Sequence, residues 1–207
     1  MKVLVACEYS GRVRDAFKKK GHFAMSCDIL PSDVPGKHYQ GSVIDIIKEG
    51  WDIMIAHPPC TFLSNSGAKH LYRGMKKENG RNEKRWEAME RGASFFRDLW
   101  TAPIPKICIE NPIMLGYAKK LIGADYTQII QPYDFGEDAS KSTCLWLNGL
   151  MPLRTTRRIN GRTVNGVERW ANQTNSGQNR LGPSEDRWRK RAITYQGIAN
   201  AFANQWG

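Results

Sequence analysis

The sequence predicts an α/β fold built on a mostly parallel sheet with an antiparallel edge. Three observations carry that expectation. Short apolar runs of strand type recur at Val3–Cys7, Phe23–Asp28, Asp52–Ala56 and Lys106–Glu110. Helical patterns follow the first run and separate the last two, and the runs lead to polar or catalytic-type residues. After Tyr126 the alternation stops, and two strand-like runs, Thr127–Gln131 and Ser142–Leu147, come with no helix-length segment between them. Strands alternating with helices build parallel sheets whose ligands sit at the carboxyl ends of the strands, so the polar strand ends are expected around one crevice.

Val3–Cys7 is closed by Ser10-Gly11, a tight turn into an amphipathic helix that runs to Lys20 and stops at Gly21. The strongest helical pattern repeats Trp86, Met89, Ala93, Phe96 and Trp100 at three- and four-residue steps, with Pro103 ending it. The last two strand runs are expected to pair antiparallel at a sheet edge. Residues 157–164 read as a small hairpin about Asn160-Gly161, and 172–183 are polar with no packing signal. Ser184 is placed to cap a short basic helix through Arg191, and Ile198, Ala201, Phe202 and Trp206 form the apolar face of a final helix. The organisation expected is a catalytic and cofactor-binding core over 1–150, a small basic insertion over 151–191, and a helix over 192–207 returning to the core, all in one domain.

Composition bounds the function. The 207 residues are 41% hydrophobic and 25% charged, with 19 Gly and 10 Pro, which excludes collagen, coiled coil and wholesale disorder. The first residues are too short an apolar run for a signal-peptide core, and no stretch is long enough to span a membrane, so a cytoplasmic protein is expected. Five cysteines, Cys7, Cys27, Cys60, Cys108 and Cys144, form no C-x-x-C pair that would suggest a structural metal or redox dithiol. The net charge is +11, and residues 154–191 alone hold ten basic side chains against three acidic. Such a segment is either a solvated face or a polyanion-binding arm; the interleaved Trp170 and Trp188 favour nucleic acid.

The informative motif is His57-Pro58-Pro59-Cys60, where a buried strand runs into two prolines and presents a thiol ahead of the loop Thr61–Gly67. An isolated cysteine is usually an inert buried thiol, but the Pro-Pro context at a strand's carboxyl end reverses that reading. The second site is Glu110-Asn111-Pro112 at the end of the next strand. Alone, Glu110 would be read as capping the following helix; paired with Pro-Pro-Cys, it is a carboxyl group brought across the crevice from a thiol.

Together these residues resemble the DNA cytosine-5 methyltransferases, and most closely their compact bacteriophage versions. Pro58-Pro59-Cys60 with Ser64 and Gly67 is similar to the family's nucleophile motif, Glu110-Asn111 to its Glu-Asn pair, and Tyr9-Ser10-Gly11 to the start of its cofactor loop. The resemblance covers residues 1–150 and the last fifteen. It implies the Rossmann-like class I S-adenosylmethionine-dependent methyltransferase fold. It also implies Cys60 as nucleophile, Glu110 as the acid on the base's Watson–Crick edge, and S-adenosylmethionine held by Tyr9, Ser10, Gly11, Asp28, Asp45, Pro58 and Asn200. The chain departs from the family in several places. Arg12, Val13 and Arg14 come after Gly11 where the family is richer in glycine, Thr61 succeeds the nucleophile in place of the usual Gln, and Gly41-Ser42 stands for a Gly-Asp pair. No Gln-x-Arg-x-Arg segment is present, and Lys141 is assigned its electrostatic role.

These residue types suit the chemistry. Cytosine C5 becomes nucleophilic only after a thiolate adds to C6, and that addition pushes electrons toward N3, where a carboxylic acid with a pKa raised by burial would bond or protonate it. Because the target atom is stacked in a duplex, the base must be extruded, and the basic 67–85 loop with Lys69 and Arg73 is placed to close over it. DNA, double- or single-stranded, is the expected partner, contacted by Ser64, Lys69, Arg73, Arg157, Arg158, Arg162, Arg187 and Arg189. The short 151–183 insertion suggests low sequence specificity dominated by phosphate contacts. An amino-methyltransferase is disfavoured because His57-Pro-Pro-Cys60 lacks both its amine acceptor and its stacking aromatic. A zinc deaminase is disfavoured because the second cysteine of its motif is absent after Cys60. A non-catalytic nucleic-acid-binding protein on the same scaffold stays open, as does the same chemistry on RNA, a nucleotide or with a different transferred group.

Overall fold

The computed structural model describes residues 1–207. Nine strands and five α-helices succeed one another in chain order: β1 Lys2–Ala6, α1 Arg12–Lys19, β2 Phe23–Asp28, β3 His38–Gln40, β4 Ile53–Ala56, α2 Glu83–Trp100, β5 Lys106–Asn111, α3 Gly116–Ile122, β6 Gln128–Ile130, β7 Thr143–Asn148, β8 Arg162–Val164, β9 Val167–Arg169, α4 Arg187–Ala192 and α5 Gln196–Trp206. Seven of the strands form one sheet in the order β3-β2-β1-β4-β5-β7-β6, and β8 and β9 form a separate ribbon. Only β7 runs against its neighbours, β5 and β6. This is the Rossmann-like arrangement of the class I methyltransferase fold. The order reverses between β1 and β4, so the connections that leave their carboxyl ends run to opposite sides and open a crevice there.

The side-chain alternation of the central strands explains the layering. Leu4, Ala6, Met54, Ala56, Ile107 and Ile109 face a core completed by Met89, Ala93, Phe96 and Leu99 of α2 and by Ala118 and Ile122 of α3. Val3, Val5, Ile53, Ile55 and Cys108 face the opposite core, filled by Val13, Ala16 and Phe17 of α1 and by Ile198, Phe202 and Trp206 of α5. Both sheet faces are therefore buried, which is why these strands read as continuous apolar runs rather than alternating ones. Trp146 of β7 is fully buried edge-on to Phe96, at 5.1 Å between ring centroids.

Several elements differ from expectation. The hairpin lies one turn later, with Asn165 (φ 50°) and Gly166 (φ 76°) at its tip rather than Asn160-Gly161, because two successive left-handed residues match the twist of a two-stranded ribbon. The antiparallel pair stands at the sheet edge as expected, with β6 outermost and β7 beside β5. Ser184 does not cap α4: its hydroxyl donates to Asp186, and the helix starts at Arg187. Gly11 turns the chain into α1 with φ 72°. A Cβ there would press on the buried Arg14 guanidinium, at 2.5 Å.

Candidate active site

The crevice is a cleft of about 1640 Å³. Of the residues singled out in the sequence, Cys60, Glu110, Lys141, Tyr9, Asp28, Pro58 and Ser64 line it.

Cys60 is positioned from both sides. The His57 amide donates to the Ala6 carbonyl at 2.9 Å, so β4 stays paired to β1 up to the prolines. Beyond them the Cys60 carbonyl accepts from the amides of Leu63 (3.0 Å) and Ser64 (2.9 Å), wrapping a turn around the half-buried thiol. That turn is fastened to the segment after Glu110-Asn111: Asn65 donates to the Ile113 carbonyl and Leu115 to the Leu63 carbonyl, both at 2.9 Å. Asn111, itself buried, donates through Nδ2 to the Pro58 carbonyl at 2.9 Å. Arg85 at the start of α2 adds a further tie to the Thr61 carbonyl at 2.7 Å and lies over the Phe62 ring.

Glu110 stands at the end of β5 with its side chain 9% exposed. Its Oε2 is 3.0 Å from His57 Nδ1 and accepts from the Thr194 hydroxyl at 3.3 Å. Burial pushes this carboxyl up, but the His57 hydrogen bond and charge, the Lys141 charge and the Thr194 hydroxyl outweigh it and bring it down to about 2. This corrects the expectation of a carboxylic acid whose pKa is raised by burial: in the free protein Glu110 is a carboxylate. Lys141 donates to the Arg191 carbonyl at 3.0 Å, and its charge reaches Glu110 from the flank of β7.

The other half of the cleft lies at the ends of β1 and β2. Asp28 accepts from the Leu30 amide at 2.9 Å, and Ile29, Leu30 and Val43 supply apolar wall beside it. Burial and the Asp28 charge push Cys7 up, and burial with Asp28 and Asp45 pushes Cys27 to about 12, so both thiols are neutral. One carboxylate at the end of β2, set among apolar groups and neutral thiols, has the chemistry to accept from the hydroxyls of a nucleoside and to pack its base. That chemistry fits the nucleoside of a methyl donor such as S-adenosylmethionine.

Not every residue assigned to the cofactor reaches this half. Ser10 and Gly11 shape the loop behind it, where the Ser10 hydroxyl donates to Glu8 at 3.3 Å. Asp45 accepts from the Tyr39 hydroxyl, and the exposed Asn200 bonds Gln196; neither lines the cleft.

The segment from α4 to α5 crosses the mouth. The Tyr9 hydroxyl donates to the Arg189 carbonyl, the Arg189 guanidinium lies over the Tyr9 ring and pairs with Asp33, and Arg12 donates to the Thr194 carbonyl at 3.2 Å.

The assigned nucleic-acid residues divide. Lys69 and Arg73 are exposed but off the cleft wall, as is Arg157. Arg158 pairs with Asp134 (3.1 Å) and Glu168 (3.0 Å), and Arg162 donates to the carbonyls of Trp170 and Gln173, both at 2.7 Å. Those two hold the insertion together. Arg187 is half-buried with its Nε unbonded. Besides Lys141, the cleft is lined by Arg12, Arg85, Arg180, Lys190 and Arg191, none of which was given a role from the sequence, although the last three belong to the basic run counted above. His57 was likewise missed, despite standing inside the Pro-Pro-Cys motif.

No family model and no curated protein matches the chain. Among solved structures, one described as a candidate DNA modification methyltransferase encoded within an E. coli prophage aligns at 14% identity with a TM-score of 0.43. The alignment covers 71% of this chain and 46% of that one, so the chain spans less than half the length of that protein. No helix is long and apolar enough to cross a membrane, and no group of three or more His, Cys, Asp or Glu side chains is placed to hold a metal.

Proposed function

We propose that the protein methylates C5 of cytosine in DNA, using S-adenosylmethionine and a transient bond from Cys60 to C6 of an extruded base. The observation that carries this reading is that Cys60 and Glu110, from neighbouring strand ends, line one cleft and have their segments tied together through Asn111 and Pro58. When bound, S-adenosylmethionine supplies an electrophilic methyl group. The Cys60 thiolate adds to C6; Glu110 holds the N3 and N4 edge of the base; Lys141 and Thr194 fix the Glu110 carboxylate. Arg180, Lys190 and Arg191 at the mouth offer charge to phosphates.

The test is mass spectrometry of nucleosides from DNA incubated with the protein and S-adenosylmethionine, beside Cys60→Ala. 5-Methylcytosine with the native protein alone is expected. Its absence, with cofactor bound, would move the reaction to RNA, a nucleotide or another group.

One observation favours the non-catalytic reading. The amides of Val13 and Arg14 at the start of α1 are already taken by Glu8, at 2.7 and 3.2 Å, which leaves fewer helix-terminal donors for a ligand carboxylate. Loss of S-adenosylmethionine binding with DNA binding retained would establish that alternative.

A further inference from the structure

His57 stands inside the Pro-Pro-Cys motif and has no part in the chemistry described so far. It sits at the end of β4 between two buried carboxylates. Its Nδ1 is 3.0 Å from Glu110 Oε2, while its Nε2 is buried and bonded to nothing in the protein. The second carboxylate, Glu8 at the end of β1, is 4% exposed, and His57 lies within its field. Burial pushes Glu8 up, against the pull of His57, of the Val13 and Arg14 amides and of the Arg14 charge. Glu110 from β5 and Glu8 from β1 thus act on the imidazole, Lys141 acts on Glu110 from the flank of β7, and Cys60 stands three residues on in its own segment.

The addition step needs a proton. When a thiolate adds to C6, the C5=C6 pair shifts toward C4 and the C4=N3 pair settles on N3, which must be protonated. A Glu110 carboxylate has no proton to give. We propose that His57 holds that proton and delivers it through Glu110: as the Cys60–C6 bond forms, the Nδ1 proton passes to the Glu110 carboxylate and from it to N3, leaving a neutral imidazole, the Glu110 carboxylate and an enamine. On elimination the Cys60–C6 bond breaks, N3 returns its proton to Glu110 and Glu110 returns one to His57, so the pair ends as it began. The C5 hydrogen leaves separately to solvent. His57 touches no base; it acts through Glu110 as a positioning residue that also stores charge. This inference rests on the cytosine reading above.

The addition step can be read without any cofactor, because the enamine takes a solvent proton at C5 before the thiolate leaves. The experiment therefore measures tritium release from DNA labelled at cytosine C5, across pH, for the native protein, His57→Asn and His57→Gln. Asn keeps an amide near the Nδ1 position, and Gln keeps one near Nε2; neither can carry a proton. We expect both variants to bind DNA as tightly as the native protein and to melt lower, because the buried Glu110 loses its charged partner, with release slowed by about 10²–10⁴-fold. We expect the pH profile of the native rate to change shape in both variants. Variants that release tritium at the native rate overturn the inference. So do slowed variants whose pH profile keeps the native shape, since His57 would then only shape the site. No release by the native protein overturns the cytosine reading itself, and the inference falls with it.

Discussion

Asn111 and Pro58 join the two halves of the candidate site through one buried hydrogen bond, Nδ2 to carbonyl oxygen at 2.9 Å. Proline leaves the chain around Cys60 short of backbone donors, so the carbonyl that precedes Pro59 depends on a side chain from the next strand. The Asn111 Oδ1 is itself buried with no partner, so nothing else holds the amide in place.

Asn111→Ala strands the Pro58 carbonyl in a dry site and is expected to cost about 1–3 kcal/mol. Denaturant titration reads that loss. Tritium release from cytosine C5 should fall further than stability does, because the thiol turn also loses its register with Glu110.

The Glu110 carboxyl imposes a pH dependence on stability. Its folded value, about 2, lies below the ordinary 4.5, so the unfolded chain binds the proton more readily. The stabilisation is complete above about 4.5 and is lost as pH falls toward about 2. Chemical denaturation across that window should show a fall in midpoint that is smaller in Glu110→Gln, which has no carboxylate to protonate. An identical fall in both proteins would place the acid sensitivity elsewhere.

The arginines of the insertion and the cations of the cleft should separate by experiment. Lys190→Ala with Arg191→Ala removes two charges that line the cleft. DNA affinity should drop, and the slope of log affinity against log salt should become shallower by about 1 for each phosphate no longer neutralised. Arg162→Ala removes a guanidinium bonded to the carbonyls of Trp170 and Gln173, so it should lower the melting temperature and leave the salt slope unchanged.

Gly197, in the first turn of α5, admits no side chain. A Cβ there would overlap the Phe135 carbonyl oxygen, which is backbone and has no rotamer to escape into. Gly197→Ala is expected to destabilise the protein by about 1–3 kcal/mol, measured by thermal melting.

The central strands were legible because burial on both faces leaves an apolar run in the chain, as in Val3–Ala6 and Ile53–Ala56. His38–Gln40 has no such run: it pairs only with β2, at the outer edge, and contributes three polar or aromatic residues. The short α3 opens on Gly116 with no side-chain cap, so its start carries no local mark. Cys60 and Glu110 could be read because each lies at the end of a legible strand. The engagement of Arg158 and Arg162 could not, because Asp134 and the Trp170 carbonyl become their partners only once the chain has folded. The ionised state of Glu110 was hidden for the same reason: burial alone argues for a neutral acid, and His57 reverses the sign.

The single reversed strand in the sheet has a consequence for how this crevice is furnished. A parallel strand supplies the crevice from the loop beyond its carboxyl end, whereas β7, running the other way, supplies it from the loop ahead of its amino end. With Asn111 opposite Cys144 in the ladder, the residues ahead of Thr143 arrive beside the end of β5, and Lys141 comes with them. That position belongs to a loop and pairs with no strand. The charge facing Glu110 can therefore be exchanged, lengthened or removed without disturbing any ladder of the sheet, which makes this flank the most separable adjustment point of the site.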